Sequence, residues 1–315
     1  MRSALMALLA ATAFTTPVWA QDAHGAQAPA ATHADHGHAH ADFESGRFHV
    51  RIDGPESPGG DVILIPGLSS SPEVWDMLTD ELKGRYRVHR VHVQGFAGAP
   101  AEDNAEGPVS APVADDLARY IAEQGLEKPA VIGHSMGGTI GMMLAARHPD
   151  SVGKLMVVDM VPFMGAMFAQ PGTNPTPESV APVADMIYQG MANSPREQWL
   201  AESNAAITGM INTESQRAGP LEAGATTDQK VAASAMRELV VTDLRPELAN
   251  ITAPTTVLYV KFNDPRMTPE ITDGIYRASF SNLPAAELKR IDASAHFIML
   301  DQPALFAAEV NAFLE

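Results

Sequence analysis

The 315-residue chain is 45% hydrophobic, enough to bury a sizeable core in one large α/β domain or one such domain with an insertion, which excludes a disordered protein. Its 38 acidic against 21 basic residues give a net charge of −17, a surface that repels phosphate backbones and argues against nucleic-acid binding. Cysteine is absent, so neither a disulfide framework nor a cysteine nucleophile is available.

Residues 1–20, MRSALMALLAATAFTTPVWA, combine a basic start at Arg2, an apolar stretch from Ala4 to Phe14 and small residues before a cleavage point after Ala20. They read as a signal peptide, with export to the periplasm or the medium as the implied destination. The apolar stretch is too short for a bilayer that takes about 20 residues, and no later segment is a candidate span, so stable membrane insertion is not expected. Residues 21–42 follow with His24, His33, His36, His38 and His40, five of the eleven histidines, and almost no large apolar side chains. Two readings stand: a loose tract for Zn, Cu or Ni, or a disordered Ala/His-rich linker. In neither does it serve the main chemistry.

From residue 47 onward, short β-like runs alternate with helical patterns, the signature of a mostly parallel sheet flanked by helices. The runs are 48–52, 61–66, 87–93, 130–133, 154–159, 255–260 and 287–292, with apolar centres suited to burial on both faces. Helices are expected at 72–83, 111–124, 136–147 and 303–314, several opened by Pro or Ser. Between residues 161 and 254 the rhythm breaks, with helix-like pieces at 178–190, 195–209 and 228–240 and no convincing strand. So long a structureless loop is improbable, and an inserted helical cap (161–254) is expected between two parts of the core (43–160 and 255–315). The methionines in and beside it suit either core filler or an apolar lid over a cleft.

The chemistry centres on VIGHSMGGTI, where Ser135 stands between Gly133 and Gly137, after a strand and before a helix. This is the context a GxSxG nucleophile elbow requires. A serine needs an imidazole to take its proton and a carboxylate to orient that imidazole. His296, in the loop after the last strand, is the candidate base. His134 adjoins the serine but is expected to point away from its line of attack, and His49, His89, His92 and His148 suit structural roles. Asp264, after the penultimate strand, is the favoured acid, and Asp159, at the end of 154–159, is the alternative. The oxyanion formed on attack needs donors, for which the backbone N–H groups of Met136 and Leu68 are placed. Ser69, Ser70 and Ser71 either add a hydroxyl there or belong to the loop preceding the helix at Pro72.

With LIPGLSSSPEVW, VQGFAGAP, GHSMGG and SAHFIMLDQP in view, the chain resembles an α/β-hydrolase with a helical cap, from about residue 45 to the C-terminus. The resemblance implies an eight-stranded, mostly parallel sheet and a Ser/Asp/His hydrolase that needs no cofactor and no metal. Pro66 replaces the histidine usual before the oxyanion glycine, and Lys261 replaces the glycine common ahead of the acid, which keeps Asp159 in play. Serine at 135 argues against the related branches whose nucleophile is aspartate. The expected function is cleavage of small to medium apolar carboxylic esters through an acyl-enzyme. Lactone or amide cleavage on the same residues, a non-catalytic ligand binder and a metal protein built on the N-terminal histidines are the other readings.

Overall fold

The computed structural model describes residues 43–315 except 57, 170–172, 263 and 265. The leader and the histidine tract therefore lie outside the described residues.

Seven strands form one sheet: β1 (Phe48–Asp53), β2 (Asp61–Ile65), β3 (Arg87–Val93), β4 (Ala130–His134), β5 (Lys154–Val158), β6 (Thr255–Tyr259) and β7 (Glu287–Arg290). Their spatial order is β1-β3-β2-β4-β5-β6-β7. All neighbours run parallel except β1, which lies antiparallel along β3. The seven runs read from the sequence account for the sheet, and the eighth strand implied by the resemblance is absent among the described residues. The segment before β1 is engaged elsewhere: the Ser45 hydroxyl donates to Asp116 at 2.7 Å.

The helices are α1 (Asp76–Leu82), α2 (Ser110–Glu123), α3 (Met136–Arg147), α4 (Pro177–Asn193), α5 (Arg196–Gly209), α6 (Ala218–Thr226), α7 (Gln229–Val241), α8 (Pro269–Ser279), α9 (Ile298–Asp301) and α10 (Pro303–Leu314). The helix expected at 72–83 is split, its first turn (Pro72–Trp75) being 3₁₀. Alternating strand residues feed two cores because successive side chains leave a strand on opposite faces. Ile63, Ile65, Val131 and Val157 join residues of α2 and α3 on one face. Val62, Leu64, Ile132 and Val158 join residues of α1 and α10 on the other. Both faces of the central strands exclude water, which is why β2, β4 and β5 are apolar at their centres, whereas the outer strands β1, β3 and β7 carry polar side chains.

Four helices, α4 to α7, fill the stretch between β5 and β6, and α6 is one the sequence pattern did not reveal. Phe163, Val180, Ala184 and Val240 form one small core there, and Met191, Trp199, Ala232 and Ala233 a second. The methionines divide: Met191 packs inside, whereas Met167 and Met186 are exposed. Glu238 of α7 ties this insertion to the sheet domain. Its buried carboxylate accepts from the backbone N–H groups of Val109, Ser110 and Ala111 at 2.7, 2.6 and 2.9 Å. These are the unpaired donors at the start of α2, where the helix dipole also favours a negative charge. Glu238→Ala should therefore cost about 2–3 kcal/mol and lower Tm by roughly 5–10 °C in a thermal melt, and an unchanged Tm would count against this anchor.

Strand order fixes where ligands can enter. Chain direction across the sheet reverses at β2 and β4, and the crevice at the carboxyl ends of such a pair is where an open α/β sheet takes its ligand. Pro66–Gly67–Leu68 leaves β2 there, and Ser135 leaves β4.

Candidate active site

Ser135 stands between β4 and α3 with φ 54° and ψ −120°, a conformation that L residues rarely adopt. The turn is held from both sides: the Ser135 N–H donates to the Val158 carbonyl at 2.9 Å, and the Ser135 carbonyl accepts from Gly138 N–H at 2.8 Å. Tight packing explains the flanking glycines. A Cβ on Gly133 would stand 2.1 Å from the Gly137 carbonyl oxygen, and one on Gly137 would stand 2.1 Å from that of Ile65.

The loop after β2 lies against this turn. A Cβ on Gly67 would be 3.1 Å from both Ser135 Cβ and His134 Nδ1, so glycine lets the loop backbone close on the serine. Gly67 opens a tight turn, its carbonyl accepting from Ser70 N–H at 3.2 Å, with Ser69 at φ 56°. Leu68 is thereby held beside the elbow, and Met136 is the first residue of α3, where a backbone N–H has no intrahelical acceptor. Ser70 is buried and its hydroxyl turns back to the Leu68 carbonyl at 3.4 Å.

His296 is brought to the same rim. Its ring centroid is 4.5 Å from that of His134, and its own carbonyl lies 3.0 Å from His134 Nε2. His296 Nδ1 is 2.6 Å from Asp159 Oδ2. The carboxylate that meets the histidine is thus the alternative, Asp159, and not the favoured Asp264. Asp264 sits with Arg266, whose Nε and Nη2 donate to it at 3.0 and 2.6 Å. Hydrogen bonds from the Arg266 side chain, then from its backbone, hold the Asp264 carboxyl down at about 2. An arginine two residues along the chain thus engages Asp264 locally.

Asp159 is oriented by the fold. It follows β5 directly, with φ 51°, and its N–H donates to the Leu258 carbonyl at 2.7 Å. Its Oδ1 accepts from Val260 N–H at 3.1 Å and from the Tyr276 hydroxyl at 3.0 Å, leaving Oδ2 for the imidazole. Burial and then the Asp159 charge push the Tyr276 hydroxyl well above the usual phenol value, so it keeps the proton it donates. Nothing in the sequence singled out Tyr276. Its spacing with Thr272 and Phe280 marks a buried helix face, but not the hydroxyl's partner.

His134 is neutral. Burial, then the neighbouring His296, holds its imidazole well below the ordinary histidine value. A neutral ring facing a carbonyl carries its proton on Nε2, so Nε2–H donates to His296 O and braces that loop. The unfolded chain takes up a proton at this histidine below about pH 6.5, whereas the folded chain resists it, so the stability at stake is fully present above that pH and lost on acidification. Measured by urea unfolding, the advantage of the wild type over His134→Gln should shrink by up to about 1.4 kcal/mol per pH unit between pH 6.5 and 5. A constant difference would contradict the neutral, buried assignment.

The remaining histidines of the strands have structural partners. His89 meets the Tyr120 hydroxyl at 2.7 Å and Asp61 at 3.0 Å, His92 the Phe96 carbonyl at 2.9 Å, and His49 accepts from Gln94 at 2.6 Å. His148 stands 3.1 Å from Asp115 at the end of α3. Among the described residues no cluster of three or more His, Asp or Glu could hold a metal, and no helix is long and apolar enough to cross a membrane.

Known proteins agree with this architecture. The family model described as "Alpha/beta hydrolase family" matches residues 62–309. The chain is 26% identical over 272 residues to the pimeloyl-[acyl-carrier protein] methyl ester esterase of Vibrio cholerae, covering 82% of this chain and 92% of that protein. It is 35% identical over 114 residues to RutD of Caulobacter sp. (strain K31), named for carbamate hydrolysis, covering 36% of this chain and 42% of that protein. In five of the curated relatives it matches, the shared stretch spans only 40% to 44% of the relative's length. The enol-lactonase from Burkholderia xenovorans LB400 superposes with a TM-score of 0.65 at 21% identity, over 85% of this chain and 96% of that one, a likeness of fold. With the family model spanning β2 to α10, and the elbow, the β2 loop and the histidine loop meeting at one edge of the sheet, the chain belongs to the alpha/beta hydrolase family.

Proposed function

We propose that the protein is an exported serine hydrolase of small to medium apolar carboxylic esters. Ser135 Oγ attacks the ester carbonyl carbon while His296 Nε2 takes its proton. The oxyanion lies against the N–H groups of Leu68 and Met136. Collapse breaks the bond to the alcohol oxygen, which receives the proton from His296 and leaves. Water then attacks the acyl carbon with His296 again as base, the bond to Ser135 Oγ breaks as that oxygen takes the proton back from His296, and the acid departs. Asp159 holds the imidazole with Nδ1 protonated, so that Nε2 is free to accept. The observation that carries this reading is the 2.6 Å contact between His296 Nδ1 and Asp159 Oδ2 beside a strained elbow serine.

Relatives named as a methyl ester esterase and an enol-lactonase support cleavage of an ester-type C–O bond. The net charge of −17 disfavours anionic substrates. Lactones, which are cyclic esters, are the second reading, favoured by the enol-lactonase likeness. A fluorophosphonate should give a one-to-one adduct on Ser135 by peptide mass spectrometry, and a panel of esters, lactones and anilides should rank esters first. Folded protein without the adduct would refute the nucleophile. Mature protein from the periplasm should begin at Gln21, and an uncleaved cytoplasmic product would refute export.

A further inference from the structure

The loop that carries His296 is bound to the insertion as well as to the sheet. Asp301, in the short helix α9, accepts from Ala295 N–H at 2.8 Å through Oδ2, one residue before the histidine. The same carboxylate accepts from Asn212 N–H at 3.1 Å and Thr213 N–H at 2.8 Å, in the connection between α5 and α6. Beside it Phe297 N–H, one residue after the histidine, donates to the Met210 carbonyl at 3.2 Å. The insertion's side of this joint is pinned by Arg217, whose Nε donates to the Ile211 carbonyl at 2.9 Å and whose Nη2 donates to that of Asn212 at 3.4 Å. Ile211, Phe297 and Leu300 are buried together behind it. One carboxylate therefore gathers three main-chain donors from two segments some eighty residues apart, with charge-assisted bonds stronger than neutral ones.

We propose that Asp301 is a positioning residue that fuses the His296 loop and segment 210–213 into one unit, so that the seat of the insertion sets the placement of the base. The inference rests on the reading of His296 as that base. An imidazole displaced by about 1 Å costs on the order of 10²-fold in rate, so a loosened joint acts on kcat. A carboxylate that merely held the insertion down would act on KM and Tm alone.

The test uses the full chain and p-nitrophenyl acetate, whose acyl group is too small to need the insertion's contacts. Asp301→Ala should lower kcat by about 10- to 100-fold with KM within about three-fold, and Asp301→Asn, which keeps one acceptor oxygen, should fall between it and the wild type. Arg217→Ala touches neither the base loop nor Asp301, yet should also lower kcat, and the double variant should lose less than the product of the two single losses. Circular dichroism restricts the comparison to folded variants, and Asp301→Asn with Arg217→Ala carries the test where Asp301→Ala does not fold. Folded variants at wild-type kcat, with only KM or Tm moved, would overturn the inference. His296→Ala separates the two layers: if it still turns over ester, the base reading fails and this proposal with it. If it is inactive while the Asp301 variants keep wild-type kcat, this proposal alone falls.

Discussion

Asp159→Asn is expected to lower kcat on a small ester by about 10⁴-fold, while Asp264→Asn leaves it within about two-fold. The reason is a tautomer. In the variant, Val260 N–H and the Tyr276 hydroxyl still require an acceptor where Oδ1 stands, so they hold the amide oxygen there. The amide NH₂ then occupies the Oδ2 position, 2.6 Å from His296 Nδ1 in the wild type. Facing a donor, Nδ1 must become the acceptor, and the ring proton moves to Nε2. An Nε2–H imidazole cannot take the proton from Ser135. Asp264, by contrast, is bound to Arg266 at the surface, and breaking an exposed pair changes little. Steady-state kinetics on the two variants, with Tm as a check on folding, decides between the carboxylates. An inactive Asp264→Asn beside an active Asp159→Asn would reverse the assignment.

Ser135→Ala should lower kcat by about 10⁶-fold, since base and acid have nothing to activate once the hydroxyl is gone. Ser135→Gly should be as inactive yet no less stable. The backbone at φ 54° and ψ −120° costs a non-glycine residue about 1–3 kcal/mol, and glycine removes that cost while adding about 0.5–1 kcal/mol of unfolded-state entropy. The net change is an unaltered Tm or a rise of up to about 5 °C in a calorimetric scan. A marked fall in Tm for Ser135→Gly would mean that the elbow is not strained, and ester turnover at the wild-type rate in either variant would remove Ser135 from the reaction.

The site was legible in part because some of its requirements are local. A GxSxG turn needs glycines at fixed offsets from its serine: the Gly137 carbonyl that would meet a Cβ on Gly133 is set by the turn itself, whereas the Ile65 carbonyl that would meet one on Gly137 belongs to the neighbouring strand β2. His296 could be named because it follows the last strand, and every loop at that end of a parallel sheet opens onto the same edge. The acid was harder, since Asp159 and Asp264 both follow strands of that edge. Lys261, in place of the glycine common ahead of the acid, was the local hint against Asp264, and the structure adds Arg266, which binds that carboxylate two residues along the chain. Tyr276 and Asp301 left no mark in the sequence: one is an aromatic on a buried helix face, the other an acidic residue at the end of a short apolar run.

Periodicity, apolar runs and turn chemistry by themselves determined the seven strands, the helical insertion and the serine's conformation, because these depend on neighbours a few residues away. Only the tertiary structure decided the partners: strand order set β5 beside β4 and put Asp159 within reach of His296, and chain packing brought Tyr276, Val260 and Asp301 to their carboxylate and loop. Hydrogen bonds between residues a hundred positions apart are chosen by where elements dock, and docking is a property of the whole core rather than of any segment.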